Sequence, residues 1–369
     1  MLTTGEISLY FHIPFCTRKC PYCHFYVAPD KQPLKELLLE ALALEWTLQK
    51  DKLQGKKIVS IYFGGGTPAL FGPAPIKTIL SWITIPEDCE ITLEANPEEI
   101  TLELMQAYKE CGINRVSIGV QSLDDDLLKV LGRRHSSKKA LEGIQAVYEA
   151  GISNISIDLM YEIPHQTLSV WQQTLRQLND LPITHLSLYN LTIEPHTAFF
   201  KQQKKLLPYL PSPEACLDML NAATTHLEKI GLKRYEISAF AKDNQESCHN
   251  TGYWQGRPFL GFGPSAFSYW NGCRFRNIAN LNKYAEKLKQ NLLPIDFEET
   301  LSETARSKEL LAIALRRLEG VSLKQHPILM QVSDELLKQG WIILENERAK
   351  LTPSGLLFYD SVAEAIVEV

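Results

Sequence analysis

The 369-residue sequence lacks several features that would assign it to a special class of proteins. No run approaches the roughly 18 apolar residues that a membrane-spanning helix needs, so we expect a protein that is not integral to a membrane. The net charge is only −5 at pH 7, which gives no overall attraction to nucleic acid. No basic segment precedes the first apolar stretch, as it would in a signal peptide. These absences favour a cytoplasmic protein that does not bind nucleic acid.

Paired cysteines are also scarce. Five of the eight cysteines stand alone in the sequence, namely Cys89, Cys111, Cys216, Cys248 and Cys273. A disulfide framework needs an oxidising compartment and a partner for each bridge, so this scatter argues against one. There is no second CxxC or HxxxH half of the kind that usually completes a zinc site.

The other three cysteines form a C-x3-C-x2-C motif at Cys16, Cys20 and Cys23. An iron–sulfur cube takes one thiolate per iron, so three cysteines leave one iron able to bind another molecule. A zinc site completed by His24 or His12 is the alternative. The sequence therefore predicts an iron–sulfur cluster with one open iron.

Short β-branched runs alternate with segments of helical periodicity, which indicates a repeated strand–helix unit. The predicted strands cover residues 8–14, 58–63, 91–95, 115–120, 154–159 and 185–189. The predicted helices cover residues 34–50, 74–82, 102–110, 125–130 with 138–149, and 170–178. Six such units predict a parallel sheet, either doubly wound or closed into a full or partial barrel.

Unusual residues gather at or just beyond the carboxyl ends of these strands, where the functional rim of a barrel lies. Besides the three cysteines, these unusual residues are the glycine run Gly64–Pro68, Glu94, Gln121 and Asp158. The glycine run lacks the spacing of a nucleotide-binding loop, but it would let a ligand reach the backbone. Arg133 is a candidate for a bidentate contact with a carboxylate. This distribution favours the barrel.

Three segments follow from these patterns: a barrel over residues 1–240, a connecting segment over 241–295, and a C-terminal module over 296–369. In the last segment, helical patterns at 301–317 and 333–339 precede a hairpin that turns at 345–347, and Pro353 begins a final helix. Helices followed by a small hairpin predict a winged-helix-like α+β module. It has no basic face, so we expect a structural role or one in covering a porphyrin.

These residues resemble the radical S-adenosylmethionine (SAM) superfamily, and more closely its coproporphyrinogen dehydrogenase and heme chaperone HemW branch. The resemblance covers nearly the whole chain. It rests on the residues 10–16, the cysteine triplet, GGGTP at 64–68, EANPEE at 94–99, IGVQS at 118–122, LGRRH at 131–135 and DLMYEIPHQT at 158–167. It implies an α/β fold with a partial (β/α)6 TIM-like barrel.

The resemblance also implies a [4Fe–4S] cluster on Cys16, Cys20 and Cys23, with SAM at its open iron and a separate electron donor. Reductive cleavage of SAM would then give a 5′-deoxyadenosyl radical, which is cofactor chemistry. The residues that match one SAM site of the family are Tyr10, Tyr22, Gly65 and Glu94. Those that match a second SAM site of the dehydrogenase are Gly66, Thr67, Gln121, Arg133 and Asp158.

Two departures separate the branches. The dehydrogenase pattern has a fourth cysteine two positions after Cys23, and this sequence has Phe25 there. The dehydrogenase also has a long N-terminal arm before the position of Tyr10, whereas only nine residues precede Tyr10 here. His249–Trp254 fits the HNxxYW signature of the chaperone branch, which implies heme contacts from His249, Tyr253 and Trp254. An imidazole can ligate heme iron and aromatic rings can pack on the macrocycle, although such a histidine is more often a satisfied core group.

Three hypotheses follow. The first is a HemW-like heme chaperone that passes heme to recipient proteins. The second is an oxygen-independent coproporphyrinogen III dehydrogenase or another radical SAM enzyme with a porphyrin-like substrate, against which Phe25 argues. The third is a structural zinc protein.

Overall fold

The computed structural model describes residues 5–368. Its strands are β1 Glu6–Ile13, β2 Phe15–Cys16, β3 Ala28–Pro29, β4 Lys57–Gly65, β5 Glu90–Ala95, β6 Arg115–Gln121, β7 Asn154–Tyr161, β8 His185–Asn190, β9 Lys233–Arg234, β10 Ala239–Ala241, β11 Phe259–Phe262, β12 Phe267–Trp270, β13 Cys273–Asn277, β14 Ile295–Thr300, β15 Val321–Ser322, β16 Ile342–Glu345 and β17 Arg348–Leu351.

The helices are α1 Gln32–Gln49, α2 Pro73–Ser81, α3 Leu102–Glu110, α4 Asp125–Val130, α5 Ser137–Glu149, α6 Leu168–Arg176, α7 Ala198–Lys201, α8 Gln203–Leu206, α9 Pro213–Lys229, α10 Cys248–Trp254, α11 Leu281–Lys289, α12 Glu303–Ala314, α13 Leu329–Lys338, α14 Pro353–Leu357 and α15 Tyr359–Glu368. None of the helices described within residues 5–368 has the length and apolarity to cross a membrane.

One open sheet of twelve strands dominates the fold, in the order β14-β13-β12-β11-β1-β4-β5-β6-β7-β8-β10-β9. The six predicted strand–helix units are present as β1 and β4–β8, with bounds within two residues of those predicted. These strands run parallel, and their apolar side chains form the main core with the covering helices. The predicted α/β fold with a partial barrel is confirmed.

The segment over residues 241–295 is more than the connection that the sequence suggests. Its strand β11 pairs parallel to β1, and β12 and β13 continue the sheet beyond it. Leu260, Phe262 and Tyr284 are fully buried in the main core. Because this pairing joins residues about 250 positions apart, no local pattern could reveal it.

A second hydrophobic core contains buried side chains from Leu311 to Ile366 only. Helices α12–α15 surround it together with the small sheet β15-β17-β16. The predicted hairpin turns at Asn346 and Glu347, both at positive φ, as a two-residue turn between antiparallel strands requires. The C-terminal part is thus the α+β module that the sequence indicates.

Glu45 anchors helix α1 to the antiparallel extension of the sheet. Its carboxylate accepts hydrogen bonds from the backbone N–H of Gly263 at 2.8 Å, from Nδ2 of Asn277 at 2.6 Å and from the hydroxyl of Tyr284. The side chain is fully buried, and burial raises its pKa to about 7 although these hydrogen bonds oppose the shift. The fold therefore holds a carboxyl group that ionises near neutral pH.

This arrangement predicts a pH-dependent stability. A carboxyl group whose pKa is raised by folding contributes stability below its ordinary pKa and loses that contribution as the pH rises through about 7. Glu45→Gln, which mimics the protonated form, removes this titration. We expect the melting temperature of the wild type, measured relative to Glu45→Gln, to fall by roughly 2 to 4 °C between pH 5 and pH 8. A constant difference between the two proteins across that range would contradict the assignment.

Candidate functional site

The three cysteines of the motif line one cavity of about 460 Å³ at the carboxyl ends of the parallel strands. Of the other predicted residues, Tyr22, Gly65, Gly66, Thr67, Glu94, Gln121, Arg133 and Asp158 line the same cavity. The topology therefore brings residues from five strand–helix units together, as their positions after successive strands predict.

The glycine run packs against the chain that leads into the cysteine loop. The backbone N–H of Gly66 donates to the carbonyl of Ile13 at 2.9 Å, and that of Thr67 donates to the carbonyl of Phe15 at 2.7 Å. A Cβ on Gly66 would lie 2.6 Å from the carbonyl oxygen of Phe15, closer than atoms can approach. Only glycine lets these two segments meet, so the run fixes the start of the cysteine loop against strand β4.

Gly65 is required for a different reason. Its φ of +116° is unfavourable for other residues, and a Cβ there would lie 2.6 Å from the imidazole of His12. Burial lowers the pKa of His12 to about 4, so the ring is neutral. Its Nε2 lies 3.4 Å from the carbonyl of Tyr26, and its Nδ1 accepts from the hydroxyl of Tyr10 at 3.0 Å. His12 is thus a structural group between neighbouring loops.

A hydrogen-bonded chain connects two of the cysteine sulfurs. Nδ2 of Asn96 donates to Oγ1 of Thr67 at 2.8 Å, which leaves the Thr67 hydroxyl hydrogen to donate to Sγ of Cys16 at 3.7 Å. Nη2 of Arg133 donates to Oδ1 of Asn96 at 2.7 Å, and Nη1 donates to Sγ of Cys20 at 3.6 Å. Both sulfurs therefore receive a hydrogen bond that stabilises a thiolate.

Asn96 is a site residue that the sequence did not single out. It lies in the segment 94–99, where Glu94 drew attention because a carboxylate at a strand end suggests chemistry. The role of Asn96 depends on Thr67 and Arg133, which are 29 and 37 residues away. The only local signal is its place at the end of β5, immediately before a proline.

Without a bound metal, the surroundings of the cysteine loop disfavour the thiolate form of its side chains. Burial raises the pKa of Cys16 to about 11 and also raises that of Cys23, where a hydrogen bond from the backbone of Phe25 opposes the shift. Cationic iron would offset this penalty, since metal binding deprotonates thiols. Phe25 itself is 54% exposed and packs on His24, with ring centroids 4.5 Å apart.

The donor set fits a cluster better than a single ion. Within residues 5–368 no three His, Cys, Asp or Glu side chains are gathered closely enough to hold one metal ion. A cubane needs separated sulfurs, since each binds a different iron. The buried Nε of Arg133 also has no hydrogen-bond partner among the described residues, which leaves a donor for a ligand in this cavity.

Two carboxyl groups lie deeper in the cavity. Glu94 accepts from the hydroxyl of Tyr62 at 2.8 Å and from the backbone N–H of Gly65 at 3.1 Å, yet burial raises its pKa to about 7. Burial also raises the pKa of Asp158 to about 6, and Ser117 donates to it at 3.5 Å. A cationic ligand beside them would favour their ionised forms.

The predicted residues Gln121 and Tyr10 differ from the others in backbone conformation and in hydrogen bonding, respectively. Gln121 has a φ of 64°, an unusual conformation for a residue other than glycine, where the pairing of β6 with β7 shifts register. Tyr10 packs on Tyr62, with ring centroids 6.2 Å apart, and its hydroxyl points to His12 rather than to a free position.

The HNxxYW segment forms helix α10, whose first turn docks on strand β5. The backbone N–H groups of Cys248 and His249 each donate to the carboxylate of Glu90 at 2.9 Å, and Ser247 caps the helix. A carboxylate at a helix N-terminus is stabilising, so Glu90 fixes the start of α10.

His249 is only 1% exposed, and both of its ring nitrogens are in use. Nδ1 lies 2.9 Å from the hydroxyl of Ser60, and Nε2 lies 2.8 Å from the hydroxyl of Tyr253. Burial lowers the pKa of His249 to about 3. Ligation of heme iron by His249, which the resemblance implies, stays a prediction and would require one of these two hydrogen bonds to break. Trp254, at the other end of α10, lies outside this network, with the guanidinium of Arg316 4.4 Å from the centre of its ring.

Comparisons with known proteins match nearly the whole chain. The model of the radical SAM superfamily matches residues 10–178. The protein named heme chaperone HemW of Lactococcus lactis is 31% identical, over 97% of this chain and 96% of its own length. The one of Bacillus subtilis is 32% identical, over 98% of this chain and 99% of its own length. Coproporphyrinogen III oxidase (HemN) from Escherichia coli shares the fold, with a TM-score of 0.84, 22% identity, and coverage of 98% of this chain and 90% of that one.

The geometry predicts that cluster assembly depends on Cys20 and not on cysteines elsewhere. Cys20→Ala removes a predicted cluster ligand, which is also the sulfur to which Arg133 donates. After anaerobic reconstitution we expect iron and acid-labile sulfide to fall to near background, with loss of the visible charge-transfer absorption. Cys111→Ala, just beyond the end of α3, is the matched control and should keep the wild-type content. Equal iron content in both variants would show that the motif does not hold the metal.

Proposed function

The chain belongs to the radical SAM superfamily and, within it, to the heme chaperone HemW family, and we propose that it binds heme and transfers it to recipient proteins. The observation that carries this proposal is identity of 31–32% over nearly the full length of two heme chaperones. That match covers at least 97% of this chain. Phe25, at the position of the fourth cysteine of the dehydrogenase pattern, also favours a chaperone over that enzyme.

The proposed cofactors are a [4Fe–4S] cluster on Cys16, Cys20 and Cys23 and at least one SAM molecule in the same cavity. When bound, they would supply one-electron chemistry at a sulfonium centre. The protein would contribute Thr67 and Arg133 as hydrogen-bond donors to two of the sulfurs. A separate electron donor would supply the electron.

The cavity has complementary groups for the polar parts of SAM. Gly65 and Gly66 line its wall, where the lack of a side chain lets a ligand lie close to the backbone. Glu94 and Asp158 offer carboxylates to positively charged groups, and Arg133 offers a donor to a carboxylate. Closing the cavity around a bound molecule would also exclude water, which strengthens these charge interactions.

We expect anaerobically reconstituted protein to bind hemin, with a Soret band that appears on titration, and to leave coproporphyrinogen III unchanged in the presence of SAM and a reductant. The reason is that a chaperone carries the porphyrin intact, whereas the dehydrogenase consumes its substrate. Absorption spectroscopy follows the titration, and chromatography of porphyrins follows the second assay.

Each of the two assays has an outcome that would contradict the proposal. Conversion of coproporphyrinogen III to protoporphyrinogen would make the protein an enzyme of the second hypothesis. A hemin titration without any Soret change would refute the heme chaperone proposal. Bovine serum albumin at the same concentration controls for nonspecific hemin adsorption.

A further inference from the structure

Three segments of the chain concentrate positive charge beside the cysteine cavity. They are residues 17–25, which contain the end of the cysteine motif, residues 132–134 and residues 198–209. Together they contain seven Arg and Lys side chains and no Asp or Glu, although the whole chain has a net charge of −5. Six of these cations are exposed, namely Arg18, Lys19, Arg134, Lys201, Lys204 and Lys205. No role described above uses these six side chains.

Packing holds the three segments against one another. The backbone N–H of Phe199 donates to the carbonyl of Pro21 at 2.9 Å, and the ring of Phe199 lies 6.3 Å from that of Tyr22 between centroids. A Cβ on Gly132 would lie only 2.7 Å from Cδ of Pro21, so that segment also touches the cysteine loop. The three segments therefore form one surface, and we call its exposed part the basic face.

The exposed cations of the basic face are available to a partner. Within residues 5–368 none of the six forms an ion pair with a carboxylate. Lys19 donates to the carbonyl of Phe25 at 2.8 Å, which leaves two of its three ammonium hydrogens. Glu194 lines the same cavity and can offset at most one of the six charges. The basic face therefore keeps an excess of positive charge.

Two aromatic side chains are exposed among these charges. Phe25 is 54% exposed and Phe200 is 44% exposed. Protein interfaces combine aromatic residues, which become buried at the centre, with charged residues at the rim. This composition suits a protein partner with an acidic surface better than it suits a small anion.

The basic face includes the loop that carries the cysteines. Lys19 immediately precedes Cys20, so their Cα atoms are about 3.8 Å apart, and Phe25 follows Cys23 by two residues. All three cysteines of the motif are partly exposed. A protein bound on the basic face would therefore contact the loop on which the cluster is predicted to assemble.

We propose that the basic face is the docking surface for an acidic protein that donates one electron. The inference rests on the proposed cluster and identifies the kind of partner that its chemistry requires. On docking, one electron leaves the donor and enters the cluster, and no covalent bond forms or breaks. Complementary charges steer such partners together, and transient electron-transfer complexes bury less than about 1,200 Å² in total. Three short segments can supply an interface of that size.

The test uses flavodoxin, an acidic protein with one flavin, as the probe for the full chain after anaerobic reconstitution. Lys204→Glu/Lys205→Glu reverses two charges in the last turn of α8, and Arg134→Glu reverses one charge in a separate segment. At low ionic strength we expect the double variant to bind flavodoxin roughly fivefold to tenfold more weakly than the wild type, and Arg134→Glu about threefold more weakly. Both differences should shrink at high salt, because salt screens exposed charges. Surface plasmon resonance measures these affinities.

Lys287→Glu/Lys289→Glu is the matched control. It reverses two charges in the last turn of α11, and none of the residues of α11 lines the cysteine cavity. The control has the same net charge as Lys204→Glu/Lys205→Glu, so it should bind flavodoxin like the wild type if position rather than total charge decides. Thermal melting shows that each variant is folded.

Cluster reduction provides a second readout. Stopped-flow absorption should show that reduced flavodoxin reduces the cluster of Lys204→Glu/Lys205→Glu several-fold more slowly than that of the wild type. Photoreduced deazariboflavin, a small uncharged reductant that needs no docking surface, should reduce both proteins at the same rate. Equal rates with this reductant would show that the substitutions leave the cluster itself unchanged.

The outcomes separate failure of the cluster from failure of the docking surface. If deazariboflavin reduces no cluster in the wild type, the proposed cluster fails and the inference fails with it. If it reduces the cluster in every variant, and flavodoxin binds all of them with equal affinity or does not bind the wild type, only the assignment of the basic face fails. If Lys204→Glu/Lys205→Glu loses binding to vesicles of anionic phospholipid while its affinity for flavodoxin is unchanged, the face binds a membrane surface and the inference is overturned.

Discussion

The contact between the glycine run and the end of β1 is the constraint on which the candidate site depends. Two backbone hydrogen bonds, from Gly66 to Ile13 and from Thr67 to Phe15, bring the second strand–helix unit against the start of the cysteine loop. Side-chain atoms at Gly66 would prevent this approach. The Thr67 hydroxyl then reaches Cys16, and the chain through Asn96 and Arg133 reaches Cys20. One close backbone contact thereby sets the positions of two sulfurs of the cysteine motif.

Helix α10 docks on the amino end of β5 and also contacts the C-terminal module. Glu90 holds its first turn, and His249 stacks near Tyr62, which donates to Glu94 in the cysteine cavity. The last residue of the helix, Trp254, contacts Arg316 of the C-terminal module. The signature therefore joins the cysteine cavity to the C-terminal module through a continuous set of packed groups.

The sequence predicts those parts of the molecule that local patterns determine. Strand and helix periodicity depends on neighbouring residues, so the six parallel units are found within two residues of their predicted bounds. The cysteine motif is equally local. The pairing of β11 with β1, the role of Asn96 and the saturation of His249 depend on contacts between distant segments. Such contacts are created by topology, and the pattern HNxxYW cannot show which of its side chains faces the interior and which faces a cavity.

Electron paramagnetic resonance of the reduced, anaerobically reconstituted protein, recorded before and after addition of SAM, tests the central claim most directly. The account predicts about four irons per chain and the signal of a reduced iron–sulfur cluster. It further predicts that SAM changes this signal, because the iron that lacks a cysteine ligand binds it. A cluster signal that is indifferent to saturating SAM, or a chain that holds zinc in place of iron, would contradict the account.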